Sequence, residues 1–287
     1  MTARSITVRT MAPKGATQDL LLLHMREIMA AEGADLIVVN SSGRDGIDAA
    51  ALALRDPPDG RHFLMTSAYA VNYYPAFSDV GYRREDFAPV LGVGAYNFVH
   101  VTAAANPWCD LGEVLRAVRA EGRALRFAGV GEVDLLLMKA LAARAGVGVE
   151  FKQTGGPPLL AAVLAREVDV GLGTGTHQPL LKEGKVRVMT QLHPRAVRGN
   201  GAPPTPRDLG VDVVQENFAM LSIRRDADPA AAAESLAELA RVLRAPSAEA
   251  LIADRLLMVP GLLEGAALDA ALAAQREVFV KLRAAVG

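Results

Sequence analysis

With one cysteine in 287 residues, the chain cannot close an internal disulfide, and Cys109 has no histidine near it in sequence to make it a nucleophile. Beside Trp108 it reads as buried or inert. The five histidines, His24, His62, His100, His177 and His193, are too scattered for zinc-ligand spacing, so no structural metal is expected. Long apolar runs are missing too. Leu20 to Leu23 and Leu135 to Met138 are each interrupted by charge within a few residues, well short of a membrane span. Neither sign of charge dominates, with 31 Lys and Arg against 32 Asp and Glu, and the basic residues are dispersed along the chain. That pattern argues against nucleic acid as a partner. Met1 to Ser5 runs straight into Ile6-Thr7-Val8-Arg9 without the apolar stretch and cleavage site of a secretory leader. The expectation is a cytoplasmic protein or one whose leader has been removed.

What the chain does have is core. Apolar residues make up 51% of it and charged residues 22%, which excludes a disordered chain, and its length exceeds the usual single domain. Short β-branched runs alternate with longer helical patterns. Strands are expected at Ile6 to Thr10, Leu36 to Val39 and Phe63 to Ser67. Helices are expected at Thr17 to Ala31, with Leu20, Leu23, His24 and Ile28 on one face, and at Asp45 to Arg55. The same grammar restarts with helices at Leu111 to Glu121, Val133 to Gly146 and Leu159 to Arg166, and strands at Leu125 to Ala128, Val149 to Gln153 and Val168 to Leu172. Two βα series imply two α/β lobes, each a mixed sheet flanked by helices. Ala230 to Arg244, Ser247 to Leu257 and Leu268 to Ala285 complete the chain as helices, separated by Pro246 and Pro260-Gly261. Strand-like runs at Phe98 to Thr102 and Asn217 to Ile223 mark two crossings, giving lobe 1 as residues 1–100 with 222–287 and lobe 2 as residues 101–221. A chain that crosses twice is the layout of a hinged binding protein.

Glycine-bearing loops lie where strands hand over to helices. Met11-Ala12-Pro13-Lys14-Gly15-Ala16-Thr17 does so in lobe 1, and Ala128-Gly129-Val130-Gly131-Glu132 does so in lobe 2. A helix start offers unpaired N–H groups and partial positive charge, and glycine lets backbone approach a ligand, so two such loops can hold a carboxylate or short diacid. The alternative is that Gly and Pro only make the turns, with Thr17 and Glu132 as caps. The second loop starts like a dinucleotide fingerprint but has Asp134 where its third glycine belongs, and no Gly-Lys-Ser/Thr phosphate loop exists. No cofactor is expected. Gly171 to His177 adds Thr174 and Thr176 as hydroxyl donors, whereas His177, lacking a nucleophile, reads as a surface or capping residue. Glu132 and Asp134 read either as bases or as first-turn acids, Lys14 and Lys152 as carboxylate partners or solvated lysines, and Tyr69, Tyr73 and Tyr74 as a stacking surface or packing.

Taken in order, these segments resemble a known family, the periplasmic solute receptors of tripartite tricarboxylate transporters, also called the Bug or TctC family. Ala12 to Asp19 is similar to its Pro-Gly-Gly…Asp loop, with Lys14 in place of a glycine, and Asn40-Ser41-Ser42-Gly43-Arg44-Asp45-Gly46 is similar to Asn-Arg-Pro-Gly-Ala-Gly-Gly. Pro58-Asp59-Gly60 to Leu64 resembles Pro-Asp-Gly-Tyr-Thr-Leu, and Asp86-Phe87-Ala88-Pro89-Val90 matches Asp-Phe-x-Pro-Val. Gly184-Lys185-Val186-Arg187 and Pro204-Thr205 resemble Gly-Lys-Leu-Arg and Val-Pro-Thr. The likeness runs from about Ile6 to the last helix.

The resemblance implies a two-lobed, Venus-flytrap binding protein that is not an enzyme, works in the periplasm as a monomer, and hands a small organic ligand to membrane permease subunits. It implies ligand contacts at Lys14, Gly15, Ala16 and Thr17, and at Ala128, Gly129, Val130, Gly131 and Glu132. Met11, Ser67, Thr154, Gly155 and Thr174 complete the candidate site, Thr154 and Thr174 as side-chain donors. Departures bear on the ligand: Glu132 stands where the family has Ser, Leu135 where it has His, and Phe151-Lys152-Gln153-Thr154-Gly155 where it has Val-Pro-Tyr-Lys-Gly. A carboxylate in place of a hydroxyl weakens anion binding unless it turns away or is protonated, which leaves a zwitterionic, cationic, neutral or aromatic ligand open beside a carboxylate. Two competing readings are an enzyme using Glu132, Asp134 and His177, and a ligand-sensing module for a signalling partner.

Overall fold

A computed structural model describes residues 5–193, 201–213 and 216–286, so Met1 to Arg4 lie outside the described residues. The chain divides into two units, one holding residues up to Ala95 together with Asn217–Arg276, the other Tyr96–Glu216 together with residues from Glu277 on. In chain order the first unit supplies β1 (Ser5–Thr10), α1 (Thr17–Ala31), β2 (Asp35–Asn40), α2 (Ile47–Ala53), β3 (His62–Ser67), α3 (Ala68–Asn72), α4 (Tyr74–Phe77) and β4 (Phe87–Ala95). The second supplies β5 (Val99–Ala103), α5 (Leu111–Ala120), β6 (Leu125–Gly129), α6 (Glu132–Arg144), β7 (Val149–Gln153), α7 (Gly156–Leu164), β8 (Val170–Gly173), α8 (Gln178–Lys182) and β9 (Val186–Gln191). The chain then returns with β10 (Phe218–Arg224), α9 (Pro229–Leu243), α10 (Pro246–Ala250), β11 (Val259–Leu263) and α11 (Gly265–Val286).

The first unit's sheet runs β11-β4-β10-β3-β1-β2, with β1 parallel to β2 and β3 and with β10 antiparallel to β3 and β4. The second unit's sheet runs β7-β6-β8-β5-β9, parallel among β6, β7 and β8 and antiparallel around β5. Each is the expected mixed sheet flanked by helices. In each, the parallel strands point their carboxyl ends, and so their βα loops, to one edge, which is where open α/β sheets bind ligands.

Several elements differ from their sequence expectations for local reasons. The buried side of α1 is Leu21, Leu22, Met25 and Met29, not the face through Leu20, Leu23, His24 and Ile28, and Leu20 is exposed. Four of the leucines are consecutive, so periodicity alone does not orient this helix. The helix expected from Asp45 begins at Ile47, because Arg44 and Asp45 take left-handed φ of 38° and 51° and the Tyr74 hydroxyl donates to Asp45 Oδ2 at 2.8 Å. Conversely α7 starts at Gly156, ahead of the expected Leu159, since Pro157 and Pro158 sit in the first turn, where a missing N–H is harmless. Strands β4, β9 and β11 were not expected as such. The end of α11 groups with the second unit and not with lobe 1, and there Phe279 and Leu282 are buried.

Two buried polar groups stand out in the second unit. Asp169 is enclosed by Arg123 and Arg126, at 2.6 and 2.7 Å. Burial alone would raise its pKa, but hydrogen bonds from Arg126 and Arg123 outweigh that and hold it below the usual value. His100, on β5, is fully buried against the Phe127 ring, with centroids 5.5 Å apart, and neither ring nitrogen has a hydrogen-bond partner among the described residues. Desolvation lowers its pKa to about 3, so it is neutral.

Candidate functional site

The first unit's candidate residues gather at the carboxyl ends of β1 and β3. Ala16 takes extended backbone angles ahead of α1 and has no side chain to cap it. The capping work falls instead to Asp19, third residue of the helix, whose Oδ2 accepts the Gly15 N–H at 2.7 Å while its Oδ1 accepts from Asn40 Nδ2 at 2.8 Å. Asn40 also donates to the Ala12 carbonyl, and the Thr10 hydroxyl donates to Gln18 Oε1, so the end of β2 and the end of β1 both brace the loop. Gly15 sits at φ +80°, a conformation that a side chain would strain. Lys14 is exposed, and Ala16 and Thr17 are half-buried. Ser67, at the end of β3, joins the loop by donating its N–H to Met11 Sδ at 3.1 Å. Its own hydroxyl is buried and has no partner among the described residues.

The second unit repeats the device. Gly131 is the extended residue ahead of α6, and Asp134, again third in its helix, accepts the N–H groups of Val130 and Gly131 on one oxygen, both at 3.0 Å. Asp134 is 5% exposed. Gly129 is needed by packing, since a Cβ there would lie 3.1 Å from Asp134 Cβ and from the rings of Phe127 and Phe151. The neighbouring loop is tied on by the Thr154 N–H, which donates to the Gly129 carbonyl at 2.9 Å, and by Gln153 Nε2, which donates to the Val130 carbonyl. Gly155 lies beside Val130, as an added Cβ there would meet Val130 Cγ2 at 3.4 Å. Thr174 follows β8 at the same edge of the sheet, half-buried. Glu132 opens α6, and its Oε1 accepts from Arg283 Nη1 of α11 at 3.0 Å.

Sequence reasoning thus placed both loops between strand and helix but did not anticipate the contacts of Asn40 and Arg283, and it left the role of Asp134 undecided and gave Asp19 none. An acid at the third helical position is a readable signal, the returning half of a capping box. Arg283 carries none, being 151 residues from its partner.

Other candidates go elsewhere. Tyr73 packs edge-on against Tyr74 at 5.2 Å and at a tilt against Phe77 at 5.0 Å, all in the first unit, so the Tyr73 and Tyr74 rings pack on each other. Lys152 pairs with Glu167 at 2.7 Å on the surface. Cys109 is exposed, not buried, and its backbone N–H donates to Glu113. His177 is not a surface residue: it is wholly buried against Gly173, and its Nδ1 accepts the Gly175 N–H at 3.2 Å. No group of three or more His, Cys, Asp or Glu able to hold a metal is found among the described residues.

Comparison with known proteins bears on the family and the fold. A UPF0065 protein from the tcbD-tcbE intergenic region of Pseudomonas sp. (strain P51) is 29% identical over 170 residues, which is 58% of this chain and 51% of that protein. The chain therefore spans about half the length of that curated relative. Among solved structures, Rpa4515 of R. palustris with adipate superposes with a TM-score of 0.82 at 20% identity, covering 100% of this chain and 98% of that one. MatC (Rpa3494) from Rhodopseudomonas palustris with bound malate has a TM-score of 0.77 at 22% identity, covering 100% and 99%. These likenesses show the two-lobed periplasmic-binding-protein fold. The family model described as "Tripartite tricarboxylate transporter family receptor" matches residues 21–254, and with most of its length so matched the chain belongs to that receptor family.

Proposed function

We propose that this receptor captures a small organic carboxylate in the periplasm and passes it to the permease of a tripartite tricarboxylate transporter, with the Met11–Thr17 loop and Ser67 as the first unit's candidate contacts and the Ala128–Glu132 loop, Thr154, Gly155 and Thr174 as the second's. The observation that carries this reading is the repeated loop construction. In each unit a βα loop at the carboxyl edge of the parallel strands is locked by an acid at the third helical position, Asp19 or Asp134. Locking the loop in advance leaves less conformational entropy to be lost on binding. The first-turn N–H groups of α1 and α6 have no intrahelical acceptor and point toward the loop side, where an anion is favoured. Ser67 adds a buried hydroxyl to the first set.

The dicarboxylates named with two structural neighbours, adipate and malate, support the ligand class. The family is one of receptors, so Glu132, Asp134 and His177 are not catalysts. Both acids in fact have structural partners, Asp134 the loop N–H groups and Glu132 the guanidinium of Arg283.

A thermal-shift screen against mono- and dicarboxylates, amino acids, aromatic acids and polyamines tests the reading. A ligand that binds only the folded state at about 100 times its Kd stabilises by roughly 2.7 kcal/mol. We expect carboxylates to raise the midpoint and to be recovered unaltered after incubation. A response confined to polyamines, or chemical conversion of the ligand, overturns the proposal.

A further inference from the structure

The pair formed by Glu132 and Arg283 bears on which ligands the second unit's loop accepts, and the inference rests on the carboxylate reading above. A carboxylate at the start of α6 repels an anion arriving at the same loop. Two of the loop's main-chain donors, the N–H groups of Val130 and Gly131, are already taken by Asp134. Backbone alone therefore offers a ligand less than the glycines suggest, and Glu132 opposes what is left. Arg283 reverses that balance. Its Nη1 lies 3.0 Å from Glu132 Oε1, and both side chains are 38% exposed, so the pair cancels the acid's charge while remaining within reach of solutes. A guanidinium presents several N–H donors in a rigid fork and can serve a carboxylate of the protein and another from solution together.

We propose that Arg283 is the specificity-determining cation of this receptor, contacting the ligand's carboxylate at the α6 loop, with Glu132 as the positioning residue that holds the guanidinium there. The C-terminal helix thereby contributes a ligand contact that the loop sequence does not contain. Because Arg283 and Glu132 act as a unit, their substitutions are strongly non-additive.

The test is calorimetric titration of malate and adipate, with the corresponding uncharged diamides as controls, into the unaltered protein, Arg283→Met, Arg283→Lys, Glu132→Gln and the Arg283→Met/Glu132→Gln double variant. Arg283→Met should weaken carboxylate binding by about tenfold or more, because it removes the contact and leaves Glu132 uncompensated. The diamides should bind within about twofold of their affinity for the unaltered protein, since they carry no charge for Arg283 to recognise. Arg283→Lys should recover part of the loss, and adding Glu132→Gln to Arg283→Met should recover part by another route. Circular dichroism and thermal midpoints establish that each variant is folded, and Arg283→Lys carries the test if Arg283→Met is not. Unchanged carboxylate affinity in folded Arg283→Met, or equal losses for carboxylates and diamides, overturns the role of Arg283 and leaves the carboxylate reading standing. Failure of the unaltered protein to bind any carboxylate overturns both.

Discussion

The two βα loops are built alike and charged differently. In the first, the acid at the third helical position holds Gly15 and is itself held by Asn40, and the loop carries an exposed lysine at position 14. In the second, the acid holds both Val130 and Gly131, and the loop carries Glu132 tied to Arg283. The shared part shapes the backbone, a requirement of any ligand that is to meet helix N–H groups. The differing part sets the charge, free and positive on one loop and neutralised on the other. The acid that locks each loop thus lies within four residues of the N–H groups it holds, while charge at the second loop is brought from a helix at the far end of the sequence.

The largest expected effect comes from breaking the shared part. Asp134→Ala leaves the Val130 and Gly131 N–H groups without their acceptor, a carboxylate on a residue that is 5% exposed, and should destabilise the protein by about 2–4 kcal/mol. Asp19→Ala removes one N–H acceptor and leaves the Asn40 amide with a partner lost, so it should destabilise by somewhat less. Denaturant unfolding of both variants checks the ranking, and carboxylate affinity should fall in each because the loop is no longer preset. If either change shifts stability by less than about 0.5 kcal/mol, the acid is not holding its loop.

Acid should affect the second unit next, because it holds His100, whose burial lowers its pKa. His100 binds its proton at about 3 when folded, below the ordinary value of about 6.5 that it has unfolded. The unfolded state therefore takes up a proton first as pH falls, and stability is lost between about pH 6.5 and pH 3, at up to roughly 1.4 kcal/mol per pH unit. Asp169 has the opposite charge type and a depressed pKa, so its contribution is kept above the ordinary carboxylate range and goes only as pH drops through it. The two windows do not coincide. His100→Phe should flatten the slope from pH 6 to pH 4 and leave the steeper fall below it. A slope unchanged in that variant would show that another group titrates there.

Much of this arrangement was readable in the chain. The helix over Thr17 to Ala31 and the strand over Val149 to Gln153 have the bounds that periodicity suggests, and both loops follow from Gly and Pro placed between β-branched and amphipathic runs. Orientation was harder. Leu20 to Leu23 presents apolar side chains in every direction, so only the sheet beneath decides that Leu21 and Leu22 go inward. Asp134 looked equally like a ligand contact and a structural acid, because a first-turn carboxylate has the same sequence in either role. Arg283 could not be found at all: nothing local distinguishes it from Arg276 or Lys281, and its meaning depends on α11 ending beside α6.

The smallest effect, and the finest test of the charge difference, belongs to Lys14. It is exposed, so its field reaches a ligand through water and is screened within about 8 Å at physiological salt. Lys14→Ala should lower carboxylate affinity by about two- to threefold at low ionic strength and by less at high salt, with association slowed more than dissociation is hastened. The thermal midpoint should not move, since the side chain is exposed. Arg283, tied to Glu132 and half-buried, should behave otherwise, with most of its effect persisting in salt. Titrations of both variants across a salt series therefore distinguish a loop that attracts the ligand from one that grips it. If Lys14→Ala proves as costly as Arg283→Met and as insensitive to salt, Lys14 touches the ligand directly, and the two loops are alike in charge as well as in shape.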